Sequence, residues 1–294
     1  MIDSVVKKLF IGASVVLIAI FIFGAFLFFS RKPQVQPVNG ARERIGVGIV
    51  TTDDLEIEKH QKFVDYLNAH SDHDWSLVPL KDYGSYISQL ELGQIKSGFM
   101  GSAVAYRTIK NGLALPIARG EKDGVSNYYS YIFVKKDSGI DDIEELKGKR
   151  FAYVDISTSA GFVYPVYLLR SKGYDPDDFF RAPLFAGTHE KAILAVLNGD
   201  YDGGAAKDLA WKKLSLKNSD LEKNLKIIEK EGPFPENTFM VGTEFGLKEV
   251  EELRGLLLNL GETEDGQGLL AKMNLDRFII TEEKDFDMVK KISD

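Results

Sequence analysis

The chain has no cysteine. This excludes disulfides, thiolate metal sites, a cysteine nucleophile and a lipid-bearing N-terminal cysteine, and says nothing about compartment. Histidine is scarce, at four residues, so few groups are available as a general base. There is no G-x-S-x-G elbow, H-E-x-x-H pair, Walker loop or paired catalytic carboxylate motif, and GVG at 46–48 lacks the rest of a dinucleotide fingerprint. Repeats and low-complexity tracts are absent. The net charge of -7, with lysines and arginines interspersed rather than clustered, argues against a nucleic-acid partner.

An apolar content of 44% with 28% charged residues is that of a folded globular chain, and 294 residues suffice for two lobes of ordinary size. The run from Leu9 to Phe29 is apolar and uncharged, with Lys7 and Lys8 before it and Arg31 and Lys32 after it. As a helix it would span roughly 30 Å, the thickness of the hydrocarbon core. The residues after Phe29, SRKPQVQP, offer no small-x-small cleavage site. Residues 9–30 are therefore expected to form an uncleaved transmembrane signal anchor, preceded by a short basic segment (1–8) and followed by a linker (31–44).

From residue 44 onward, strand and helix alternate. RIGVGIV, WSLVPL and SGFMG read as strands, each followed by an amphipathic helix, and the second half repeats the pattern through KRFAYVD, PLFAG and YDGGAA. The alternation predicts an α/β chain with a parallel sheet covered by helices. Asp141 is placed to cap the segment ahead of Gly148, and the tail from Leu247 reads as helical. YYSYIFVKKDS is long enough to leave one lobe and LKIIEKEG to return. The expected lobes are 45–130 plus 236–294, and 131–235, with a ligand cleft between them.

Two polar knots stand out in apolar surroundings: DISTSAG (155–161) after a strand, and AGTHE (186–190) opening a helix. Helix starts present free N–H groups and the positive end of the dipole, which suits a small oxyanion without a metal. The alternative use of Ser157, Thr158 and Ser159 is plain helix capping. His189 by itself is compatible with an ordinary first-turn histidine, and Tyr83 and Tyr128 with half-buried aromatics. HSDHD (70–74) has metal-ligand letters but sits in a polar turn, so no metal or cofactor is expected.

In this order, YYSYIFVKKDSGIDDIEELKGKRFAYVDISTSAGFVYP and AGTHEKAILAVLNGDYDGGA resemble the phosphonate, phosphite and phosphate substrate-binding proteins of ABC importers. The resemblance covers most of residues 45–280. It implies the two-lobed type II periplasmic binding protein fold and no enzymatic activity. It also implies a ligand set on Tyr83, Tyr128, Thr158, Ser159 and His189, with Ser157 and Thr188 as neighbours able to substitute. The sequence departs from the family pattern at Ala160, where a hydroxyl is usual, so that one hydroxyl is lost or the register shifts by one through Ser157. It departs again at Lys207-Asp208-Leu209 and Glu236-Asn237, where aminoalkyl phosphonate binders carry carboxylates for the ligand amine.

The expected function is a membrane-tethered extracytoplasmic binding protein for a small phosphorus oxyanion, a phosphonate, phosphite or phosphate ester. It would close by hinge motion and deliver its ligand to an ABC permease. The alternatives are a sensing module for a membrane signalling partner and, further off, an enzyme using His189 as base on a phosphorylated small molecule.

Overall fold

Strand β1 (Arg44–Val50) is apolar and buried over most of its length, which places it inside a sheet rather than at an edge. The computed structural model describes residues 44–51 and 53–294; the expected anchor at 9–30, segment 1–8 and nearly all of the linker lie outside the described residues. None of the described helices is long and apolar enough to cross a membrane. Helix α1 (Asp54–His70) starts at Asp53, whose carboxylate accepts from the Leu55 amide, and leads to β2 (Asp74–Leu80). Asp82 likewise caps α2 (Tyr83–Glu91). Strand β3 (Ser97–Met100) follows, then α3 (Ser102–Lys110) and β4 (Ala114–Glu121).

The chain then passes into β5 (Asn127–Lys135), and a 3₁₀ turn, Ile143–Leu146, leads to β6 (Arg150–Tyr153). A π-helical turn, Ser159–Val163, runs directly into α4 (Tyr164–Ser171). After α5 (Pro176–Phe179) come β7 (Ala182–Phe185), α6 (His189–Leu197), β8 (Gly203–Lys207) and α7 (Asp208–Lys217). Short α8 (Leu221–Asn224) precedes the long β9 (Leu225–Pro235), which brings the chain back to β10 (Thr238–Gly242). The tail is α9 (Leu247–Leu258), α10 (Glu264–Met273), β11 (Arg277–Ile280) and α11 (Asp287–Ser293).

These strands form a six-stranded sheet in the order β11-β4-β10-β3-β1-β2 and a five-stranded sheet in the order β7-β6-β8-β5-β9. Both are mixed, which corrects the expectation of a parallel sheet. Strands β1, β2 and β3 are parallel, as are β6, β7 and β8, but β10 is antiparallel to β3 and β4, β11 to β4, and β5 to β8 and β9. The antiparallel pairs arise where the chain changes sheets, because strands that cross out and back side by side run in opposite directions. Asn127 of β5 is paired with Pro235 of β9, so the two crossings are adjacent.

Two smaller corrections concern local signals. Asp142, not Asp141, is the cap, and Glu145 completes a capping box with it. The tail is not wholly helical, since Arg277–Ile280 adds an edge strand. Three strand prolines sit at sheet edges: Pro79 lies in β2, Pro183 in β7 and Pro235 in β9, all outermost strands, where a missing N–H is tolerated. The glycines of β1 serve close approach, for a Cβ on Gly48 would fall 2.7 Å from the Tyr86 ring.

Burial divides into three apolar clusters. One lies under α1, α9 and α10 on the six-stranded sheet, around Phe63, Trp75, Phe239 and Leu257. Another fills the space between the five-stranded sheet, α6 and α7, around Phe133, Ile193 and Trp211. The largest runs without a break from Leu80, Tyr86 and Val104 to Tyr128, Tyr153, Ala160 and Tyr164, so the faces of the two sheet assemblies meet in one apolar seam. Polar groups within that seam must find partners there.

Candidate functional site

Parallel strands deliver helix starts to one place. Strand β2 ends close to Tyr83, the first residue of α2; β3 leads to Ser102, the first of α3; β6 leads to Ser157–Ser159; β7 to His189; and β8 to Lys207, just ahead of α7. The crossings add Tyr128 at the start of β5 and Glu236 after β9. First-turn amides lack intrahelical acceptors and carry the positive end of the helix dipole, so an arrangement of this kind favours an anion.

Three buried hydroxyls connect the sheets. Ser102 Oγ lies 2.5 Å from Tyr128 OH and 2.7 Å from Ser159 Oγ, with the three residues at most 4% exposed. Each hydroxyl offers one donor and accepts as well, so the group satisfies itself and can redirect its donors. Ser130 stands behind it and donates 2.7 Å to the Ala160 carbonyl, fixing the first turn of the π-helical segment. Gly161 belongs to the same turn by necessity, because a Cβ there would come within 2.5 Å of Val154.

Ser157 and Thr158 are used differently from Ser159. The Ser157 hydroxyl bonds to the Asp155 carboxylate, and Thr158 Oγ1 donates 2.8 Å to the Asp155 carbonyl, so both hold the shape of the loop. Thr158 makes no side-chain cap bond to the helix it precedes. In the second knot the cap is Thr188, whose hydroxyl accepts from the Lys191 amide at 3.2 Å, leaving His189 as the first helical residue.

His189 is locked in one tautomer. Its Nδ1 accepts 3.1 Å from the Lys207 backbone N–H, which requires Nδ1 to be unprotonated and leaves Nε2–H as a donor. Burial, reinforced by the Lys207 charge, lowers its pKa to about 3, so it is a neutral hydrogen-bond donor near pH 7. Burial raises both phenols, Tyr83 and Tyr128, above their ordinary range, and Lys207 is the first influence opposing that rise in each. Tyr83 is thus within electrostatic reach of Lys207, alongside Asp155 and Tyr128.

Lys207 itself is the charged centre. Its Nζ lies 3.0 Å from both Glu236 carboxylate oxygens and 4.1 Å from the centroid of the Tyr128 ring. Burial disfavours its charge, but the Glu236 carboxylate and the two phenols more than offset this and hold the ammonium above its usual pKa. The next residue, Asp208, is buried and accepts 2.8 Å from the Tyr129 N–H and 2.8 Å from Lys212.

Of the residues expected from sequence, Tyr128 and Ser159 share one hydroxyl group through Ser102, His189 is bonded to the backbone of Lys207, whose ammonium lies over the Tyr128 ring, and Tyr83 is linked to Lys207 by charge alone. Ser157 and Thr158 flank it with their hydroxyls turned into the loop. Ser102 and Ser130 were not foreseen, and Lys207 and Glu236 were visible only as departures from a pattern, not as partners. A glycine followed by serine after an apolar strand, as in SGFMGS, is the signal that points to Ser102. The HSDHD segment takes no part: His70 pairs with Asp265 at 3.0 Å and His73 lies 3.7 Å from Glu249. Among the described residues no group of three or more His, Asp or Glu is placed to hold a metal ion.

The model of the family described as the ABC transporter, phosphonate, periplasmic substrate-binding protein matches residues 47–286, and the chain belongs to that family. Its members are substrate-binding proteins of transport and not enzymes. Among curated relatives, the phosphate-import protein PhnD of Mycolicibacterium smegmatis is 26% identical over 238 residues, covering 76% of this chain and 74% of the relative. The phosphonates-binding periplasmic protein of Escherichia coli is 24% identical over 197 residues, covering 65% of this chain and 58% of the relative. Among solved structures, PhnD1 from Prochlorococcus marinus in complex with methylphosphonate superposes with a TM-score of 0.68 at 21% identity, over 85% of this chain and 96% of that one. The likeness in structure shows the same fold.

Proposed function

We propose that this chain is a membrane-tethered extracytoplasmic binding protein that takes a small phosphorus oxyanion, a phosphonate, phosphite or phosphate ester, and delivers it to an ABC importer. Its lobes are residues 45–130 with 236–294, and residues 131–235, and they close on the ligand by bending at the adjacent crossings near Tyr128–Tyr131 and Gly232–Pro235. The apolar run from Leu9 to Phe29 is the anchor.

The observation that carries this reading is the hydroxyl group of Ser102, Tyr128 and Ser159, drawn from helix starts on both sheets and from the crossing between them. These hydroxyls bond to one another. A tetrahedral oxyanion arriving among them gives each a stronger acceptor, and the donors turn from neighbour to ligand. Tyr83 and the neutral His189 Nε2–H supply two further donors. Hydrogen bonds to a charged acceptor contribute about 1.5–3 kcal/mol each. Four or five are enough for micromolar affinity, about -8 kcal/mol, after the cost of ordering the site.

The reading is tested by thermal unfolding of the detergent-solubilised chain with phosphate, phosphite, methylphosphonate and sulfate. A phosphorus oxyanion at a hundred times its Kd should raise the stability by about 2.7 kcal/mol. A melting temperature unmoved by every phosphorus oxyanion tested would remove the ligand class. Retention of the full-length chain in carbonate-washed membranes, and its loss on deleting residues 9–30, is the expectation for the anchor.

A further inference from the structure

The hydroxyls and His189 account for an oxyanion, but they leave unexplained why a lysine and a glutamate are largely buried beside them. Their side chains are 19% and 20% exposed. Placing two charges there costs desolvation on both, and such pairs are weak contributors to stability. The geometry is nevertheless specific. Lys207 Nζ contacts both oxygens of Glu236 at 3.0 Å and sits on the face of the Tyr128 ring at 4.1 Å, while the hydroxyl of that same ring belongs to the oxyanion group. Glu236 is held from behind by backbone, since its N–H donates 3.0 Å to Ser126 O and its carboxylate accepts 3.1 Å from the Asn237 N–H.

One tyrosine therefore has a hydroxyl of the oxyanion group at its tip and, over its ring, an ammonium that is itself paired with a carboxylate. An ammonium is a compact cation with three donors, and a carboxylate flanked by an aromatic face is a favourable site for one. In this chain the ammonium that fills that site is its own.

We propose that Lys207 sets the ligand specificity: its ammonium occupies the carboxylate of Glu236, so the site accepts phosphorus oxyanions without a cationic substituent and rejects those that carry an amine. The inference rests on the oxyanion reading of the hydroxyl group and adds the substituent to it. An aminoalkyl phosphonate entering with its phosphonate on Ser102, Tyr128 and Ser159 would bring its ammonium towards Lys207 and would have to break the pair with Glu236 to find a counter-ion. Methylphosphonate or phosphite asks for neither.

The test is isothermal titration of the full-length chain in detergent with methylphosphonate and 2-aminoethylphosphonate, in the wild type, in Lys207→Met, and in Lys207→Met combined with Glu236→Gln. The quantity read is the ratio of the two dissociation constants, which cancels any general loss of affinity. Wild type should prefer methylphosphonate by about tenfold or more, the worth of one charge-assisted contact. Lys207→Met frees the Glu236 carboxylate and should move the ratio towards the amine by at least about tenfold, and the added Glu236→Gln should take that gain away. If Lys207→Met does not fold, the wild-type ratio and the double variant, which buries no lone charge, still decide. Equal affinity for the two ligands in the wild type overturns the inference alone. So does a ratio unchanged by Lys207→Met, or an amine gain that survives Glu236→Gln. Failure of the wild type to bind phosphate, phosphite or methylphosphonate overturns the oxyanion reading and this inference with it.

Discussion

Ser102→Ala removes one oxygen atom and should be felt in two ways at once. The side chain is 1% exposed, and its Oγ is bonded to Tyr128 OH at 2.5 Å and to Ser159 Oγ at 2.7 Å. Each bond contributes about 0.5–1.5 kcal/mol net, and both partners stay buried after the change, so the expected loss is about 2 kcal/mol. For a chain of this size that corresponds to a fall of about 3–4 °C in the melting temperature. The affinity for the oxyanion should fall by about tenfold or more, because a donor to a charged acceptor is lost.

The diagnostic measurement is a double-mutant cycle with Tyr128→Phe, read by denaturant unfolding without ligand and by titration with methylphosphonate. Tyr128→Phe deletes the other end of the same bond and leaves the Ser102–Ser159 contact in place. If the hydroxyls form one connected group, the double variant should be less destabilised than the sum of the singles by about 1 kcal/mol. Additivity within about 0.3–0.5 kcal/mol would refute the idea that they act as a unit. Unchanged affinity in either single variant would refute their role as ligand donors.

His189 ties stability to pH. Its folded-state pKa of about 3 lies below the unfolded value of 6.5, so only the unfolded chain takes up the proton as pH falls between them. The contribution is full above pH 6.5 and declines towards pH 3, by about 2 kcal/mol between pH 6.5 and pH 5; urea midpoints across that window should show a slope that His189→Asn flattens. Gly161→Ala places a Cβ 2.5 Å from both Cβ and Cγ2 of Val154 and should cost about 1–3 kcal/mol in chemical denaturation. Asp285→Ala takes the carboxylate at 2.9 Å from the buried Arg119, which keeps only Thr281, Ser126 and the Ile280 carbonyl. A loss of about 2 kcal/mol in urea unfolding is expected, less than for a fully buried pair because Asp285 is partly open to solvent.

Strands and helices that alternate were readable because each parallel strand is a short apolar run closed by a cap or a glycine. The missing strands are those whose local text carries weaker signals. Strand β4 contains Pro116, which would break a central ladder, yet it is accommodated where β10 shifts register between Phe239 and Met240. Strand β10 has five residues and β11 four, too few for periodicity to separate them from loop. Their antiparallel direction follows from the return of the chain through β9, a fact of topology that no window of residues contains. The capping signals were accurate in kind and off by one at Asp142, because two consecutive aspartates satisfy the same pattern.

The site divides along the same line. Hydroxyls at strand-to-helix turns were legible because the turn and the residue type occur together in the sequence. What no local pattern gives is which of them face each other. Ser157, Thr158 and Ser159 are equivalent as letters, yet in the fold two of them turn back onto Asp155 and Ser159 meets Ser102. The Lys207–Glu236 pair is the extreme case: in sequence each is an ordinary charged residue, 29 positions apart, and each reads as the loss of a familiar group. In the fold, the end of β8 and the residue after β9 bring them together, with the Lys207 ammonium over the Tyr128 ring. A carboxylate aimed at a ligand amine and a carboxylate already held by the protein's own ammonium have the same composition and opposite preferences. Specificity in this site therefore depends on who supplies the cation, and the amine ratio measured in Lys207→Met reads that choice directly.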